Sequence, residues 1–203
     1  MAITREDIAR AIEPLRPDIA EALADRKTAD IERIECKALT RYRLYMVTVF
    51  APHAPIVHYV AYAEDGPPFV LSEDPDAFVA MAAADGGVEI GSASGAAAYA
   101  EVFLTVTRPL SELSYLVKTL KDVSFRPDLE PDEAAARKDF ERKYRSVIKP
   151  PSGRKAGAGF EVTAYRVVEQ RLERLTLQVS SSGKVASRKE VLEKDLPLVI
   201  GGE

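Results

Sequence analysis

The sequence predicts an α+β fold, an antiparallel meander sheet with helices packed mainly on one of its faces. Three observations carry this. A period-two alternation begins at Ile31, and runs rich in β-branched, aromatic and other apolar residues cover 41–50, 56–63, 160–168 and 172–179, the composition of strands. Short turn signals separate these runs at Ala51-Pro52-His53-Ala54-Pro55, Asp65-Gly66 and Ser182-Gly183, and links this short join antiparallel strands only. Strand and helix do not alternate regularly, which argues against a doubly wound parallel sheet.

Each element follows from its own local chemistry. Thr4 caps a first helix with the apolar stripe Ile8, Ala11, Ile12 and Leu15 and with acids in its first turn, where the helix dipole favours them. Pro17 is tolerated only near a helix start, so a second short helix begins there and runs through Ile19 and Leu23. From Ile31 the period becomes two, with Ile34, Cys36 and Ala38 on one side. The strands 41–50 and 56–63 then form a hairpin, and 69–71 folds back on the second of them. Asp74-Pro75 opens a helix that Gly86-Gly87 closes. Ser92 or Ser94 caps the next, with Ala96, Tyr99, Ala100, Phe103 and Leu104 on its buried stripe.

Further along, 113–117 reads as a strand, and Glu130-Pro131 opens a charged helix with Ala136, Phe140, Tyr144 and Val147 on one face. The prolines and glycines of 150–159 predict a mobile loop that proteases cut at Arg154 or Lys155. Two strands, 160–168 and 172–179, and a hairpin turn at Ser182-Gly183 follow. The tail 196–200 is apolar enough to dock.

At 203 residues, 46% hydrophobic and 30% charged, the chain reads as one globular α+β domain, 1–203. Within it, 1–74 and 126–203 are candidate pseudo-halves joined by a helical middle, the alternative being one continuous sheet. A net charge of −4 gives no broad positive field, so neither nucleic acid nor membrane is an expected partner. The single cysteine, Cys36, closes no intrachain disulfide. With no signal-like or membrane-spanning apolar run, the expected location is cytoplasmic.

Motif chemistry mostly excludes. Gly153-Arg154-Lys155-Ala156-Gly157-Ala158-Gly159 lacks the Gly-Lys-Ser/Thr ending of a phosphate loop and precedes a strand, where such loops precede a helix. Gly91-Ser92-Ala93-Ser94-Gly95 has alanine where a nucleophile elbow needs serine. His53 and His58 have no metal-ligand spacing, and no cofactor signature is present. The basic residues of 138–155 interleave with Asp139 and Glu141, which describes a solvated helix face rather than a polyanion stripe.

Three constellations remain. If Phe50 pairs with Ile56, then Thr48 pairs with His58, Met46 with Val60 and Leu44 with Tyr62, and these residues share a buried face with Leu71. His58, Thr48 and Tyr62 are then polar groups on an apolar surface, a candidate ligand or acid-base site in which His58 is the weak catalytic candidate. Cys36 with His58 is a thiolate-imidazole alternative. The opposite face, with Tyr45, Val47 and Tyr59 interrupted by Arg43, is a candidate interface, and a self-complementary patch there implies a two-fold dimer. The expected function is therefore a non-catalytic protein-binding or self-assembly domain, partnered by another protein or a second copy. The alternative is a small-ligand binder or cofactor-free enzyme centred on His58.

Overall fold

The computed structural model describes residues 3–199. Among them are five α-helices and two separate antiparallel sheets, so the strands do not form one continuous sheet. The chain divides into two compact units, 1–89 and 90–203.

The first unit begins with α1 (Arg5–Ile12) and α2 (Pro17–Ala24). Thr4 caps α1 through a reciprocal box: its hydroxyl accepts from the Asp7 amide, and the Asp7 carboxylate accepts from the Thr4 amide. Pro17 opens α2. A four-stranded sheet follows in the order β1 (Ala29–Ile34), β2 (Arg43–Phe50), β3 (Pro55–Tyr62) and β4 (Phe69–Val70). The unit ends with α3 (Pro75–Asp85), capped by Asp74 and closed at Gly86. Ile8, Ile12, Ile19 and Leu23 of the two helices are buried against Ala29, Val47 and Val60 of the sheet. Each such side chain gains about 1.5–3 kcal/mol from leaving water.

The hairpin register differs by one residue from the sequence expectation. Phe50 stands opposite Pro55, Val49 opposite Ile56, Thr48 opposite Val57 and Val47 opposite His58. Pro55 begins β3 at the hairpin mouth, a strand position that tolerates the missing N–H, and this shortens the link by one residue. Because side chains alternate, a one-residue shift exchanges the face of every β3 residue relative to β2. Leu44 and Val60 are both buried but on opposite faces, while Phe50 and Ile56 are half exposed. Phe69 of β4 stands opposite Ala61, and Val70 opposite Val60. β1 stops at Ile34, leaving Cys36 in a turn.

The second unit contains α4 (Ala93–Val106), β5 (Ser114–Leu116), α5 (Pro131–Tyr144), β6 (Ser152–Ala156), β7 (Gly159–Val168), β8 (Arg171–Val179) and β9 (Val185–Glu193). β7 pairs with β8 along one edge; its other edge is shared by β6 and β5 in turn. The predicted stripe of α4, Ala96, Tyr99, Ala100, Phe103 and Leu104, is buried. Phe140 and Tyr144 of α5 pack on Tyr165, Val167 and Leu172, and Leu196 and Leu198 of the tail join that cluster. Ile200 lies outside the described residues.

The expected loop at 150–159 is instead the β6–β7 hairpin. Arg154 pairs in register with Glu161 and Lys155 with Phe160. Glycine serves close packing here: a Cβ on Gly153 would collide with the backbone carbonyl of Ala93 at the start of α4. Trypsin should therefore spare Arg154 and Lys155 in the native protein. Gly153→Ala should cost roughly 1–3 kcal/mol by overpacking, lower the melting temperature and render both bonds cleavable, as read by limited proteolysis with mass spectrometry.

Candidate functional site: an arginine-lined cleft

The site is organised by a carboxylate that sequence patterning does not reveal. Asp85, the last residue of α3, is 1% exposed. It accepts hydrogen bonds from the backbone amides of Thr40, Arg41 and Tyr42 at 2.8–3.2 Å and from the Thr40 hydroxyl at 2.9 Å. Burial alone would raise its pKa, but the amides of Tyr42, Thr40 and Arg41 and the Thr40 hydroxyl outweigh burial and hold it below the usual carboxylate value. The segment between β1 and β2 is fixed at its other side by Tyr42, whose hydroxyl donates to the Pro67 carbonyl at 2.9 Å. Gly66 makes this possible, since a Cβ there would strike the Tyr42 ring and hydroxyl.

This clamp aims two arginines. The Arg41 guanidinium donates to the carbonyl of Ala84 and pairs with Asp65 at 2.9 Å. Arg43 opens β2, and its guanidinium donates to the carbonyls of Thr40 and Tyr42. Arg33 projects from β1 directly opposite Tyr45, on the face that carries Ile31 and Val47. Arg33, Tyr45 and Arg43 thus occupy neighbouring positions on one face, within reach of one another. Across from them lies the first turn of α1. Arg5 there donates to the backbone carbonyls of Leu23, Asp25 and Ala29, tying α1 to the end of α2 and the start of β1.

Together these residues line a cleft of about 850 Å³, with Ile3, Ile8 and Ile31 as its apolar wall and Glu64 and Asp65 at one side. Four arginines face two acids in it, although the chain as a whole carries −4. Arg41 is the one of the four with a carboxylate partner among the described residues. Burial pushes the Tyr45 hydroxyl pKa up, while the charges of Arg33 and Arg43 act to lower it. The phenol therefore remains a hydrogen-bond donor at neutral pH.

The residues singled out from sequence fall elsewhere or apart. His58 is buried opposite Val47, not Thr48, and its Nδ1 has no hydrogen-bond partner among the described residues. Burial lowers its pKa, Arg16 adds to this, and Asp18 and Glu73 oppose it. Thr48 projects from the other face, and Tyr62 stands opposite Arg43 beside the cleft. His58 does not line this cleft. Cys36 sits in a small recess with Tyr42 and Leu44, and burial raises its thiol pKa. Leu44 precedes Val47, the partner of His58, by three strand positions, roughly 10 Å, so no thiolate-imidazole pair forms. Of the candidate interface, Val47 lies fully buried in the core formed with α1 and α2, and Tyr59 points from the opposite face, so the three residues form no common surface. His53 is exposed in the β2–β3 loop. Among the described residues no three His, Cys, Asp or Glu side chains are grouped to hold a metal, and no helix is long and apolar enough to cross a membrane.

Compared with known proteins, the chain matches no family model, no curated protein and no solved structure. Its functional reading therefore rests on the geometry of this unit.

Acid titration separates the clamp from the histidine. Both groups bind fewer protons folded than unfolded, so each contributes stability that is complete above its unfolded pKa and is lost as pH falls through the lower folded one. For His58 the loss starts below about 6.5; for Asp85 it starts below about 3.8. Urea unfolding between about pH 8 and pH 3 should show both losses, with His58→Leu removing only the first. Asp85→Ala, which strands three amides, should cost about 3 kcal/mol or more at neutral pH.

Proposed function

We propose that this chain is a non-catalytic binding protein whose first unit holds an anionic small molecule in the arginine-lined cleft. One observation carries the reading. In the second sheet three of the strand arginines, Arg154, Arg166 and Arg174, face a glutamate directly across the strands, at Glu161, Glu173 and Glu190, while Arg171 and Arg188 face Val168 and Thr176. All three pairs are closed at 2.5–2.8 Å. In the first sheet Arg33 and Arg43 face Tyr45 and Tyr62 instead. Two guanidiniums thus stand without a cross-strand carboxylate at a cleft of about 850 Å³, within the usual size range of ligand sites, about 300–1,000 Å³. Guanidinium is suited to carboxylate and phosphate recognition because its planar donors match two anion oxygens at once. The free thiol of Cys36 suits a reducing cytoplasmic setting.

Titration with benzoate and with inorganic phosphate at low ionic strength, followed by amide NMR, tests this. At least one anion should shift the amides of Arg33, Arg43 and Tyr45. The combined Arg33→Gln, Arg43→Gln variant should weaken binding at least about tenfold while remaining folded, and added salt should weaken binding by wild type. Absence of any response to both anions at millimolar concentration would refute the reading.

Self-association is the second reading, and it rests on different residues from those the sequence suggested. Phe50 and Ile56, on opposite faces of the hairpin, are 50% and 47% exposed beside the β2–β3 loop, which adds Pro52 and Ala54 to an uncharged tip. A concentration-dependent rise in mass by light scattering, abolished by Phe50→Asp with the melting temperature retained, is the expected outcome if this tip joins two copies. A constant monomer mass excludes it.

A further inference from the structure

We infer that the ligand of this cleft is an amphiphilic carboxylate, one anionic head on a hydrocarbon body, and not a bare inorganic anion; this deepens the anion-binding reading and depends on it. The cleft has two chemically different parts. Arg33 and Arg43 bracket Tyr45 on the sheet. Ile3, Ile8 and Ile31 form the apolar part, with Ile3 and Ile31 only partly buried although they pack against the core.

Size argues for a body. An inorganic anion displaces a few water volumes of about 30 Å³ each, leaving most of the 850 Å³ to water and the partly buried Ile3 and Ile31 wet. A hydrocarbon chain lying on Ile3 and Ile31 covers them. Charge argues for a single negative head. Arg41 is already engaged by Asp65, and Glu64 stands at the same side of the cleft. Arg5 also lacks a carboxylate partner among the described residues, but its Nε and Nη2 are directed at the carbonyls of Leu23, Asp25 and Ala29, whereas Arg43 uses only Nη1 on backbone carbonyls. Arg33 and Arg43 therefore supply the positive charge open to a ligand, and Glu64 repels a second negative charge. The neutral Tyr45 hydroxyl completes the head site as a donor.

A chain-length series separates this inference from the reading beneath it. Isothermal titration would use acetate, butanoate, hexanoate and octanoate, with inorganic phosphate and octylammonium as comparators. Affinity should rise roughly two- to fourfold per methylene, fourfold being the limit of full burial. Octylammonium should not bind, and Arg33→Gln with Arg43→Gln should remove octanoate binding. Ile3→Ser, at the edge of the core, should flatten the chain-length dependence while leaving the acetate response in place. A flat series, or phosphate binding as tightly as octanoate, overturns the amphiphile inference and leaves anion binding standing. Octylammonium binding as well as octanoate, or no binding by any anion, overturns both.

Discussion

The burial of one carboxylate sets the geometry of the first unit. Asp85 could not remain charged at 1% exposure without donors to replace its water, and consecutive amides from Thr40 to Tyr42 supply them. The dependence runs both ways, because those amides lie in the connection between β1 and β2, outside the regular ladder. A single side chain at the end of α3 therefore fixes where β2 begins, and with it the direction of Arg41 and Arg43. The cleft is not an accident of loop placement; it is tied to a helix terminus and to the Tyr42–Pro67 contact.

Local signals in the sequence disclose most of the elements. Thr4, Pro17, Asp74 and Ser92 begin helices for the expected reasons of capping and fixed backbone angle. What they leave open is register. Whether Pro55 belongs to the turn or to the strand is a difference of one residue, yet it decides whether His58 meets Thr48 or Val47. Composition around the hairpin does not resolve this, because both faces of β2 and β3 are apolar and both contribute buried residues. The glycines of 150–159 misled for a related reason. Gly153 makes room for α4, and a mobile loop would carry the same residue type.

The cleft itself was half legible. Arg43 interrupts an apolar alternation, and Arg33 falls in phase with Ile31; either would have flagged a charged spot on the core-facing side. Their convergence depends on the pairing of β1 with β2 in a particular register. The clamp was not legible at all, since Asp85 and Thr40 are joined across 45 positions, and an aspartate at a helix end before two glycines reads as ordinary termination.

The arginines of the two sheets meet their loss of hydration in two ways. A charged side chain on a sheet face loses part of its hydration, and a carboxylate directly opposite is the simplest compensation. The second sheet uses it three times, once with the buried Glu173, and leaves Arg171 and Arg188 opposite Val168 and Thr176. Such pairs answer their own charge and leave little for a ligand. In the first sheet, tyrosines occupy the positions opposite Arg33 and Arg43. A tyrosine offers a ring edge and a hydroxyl but no charge, so the field of both guanidiniums is left directed into the cleft. Both tyrosines also pack against the core formed with α1 and α2, so they serve the fold as well as the cleft. What sets Arg33 and Arg43 apart is their place: they stand together with Tyr45 at a cleft beside the apolar wall of Ile3 and Ile31, and the anion-binding proposal is built on that juxtaposition.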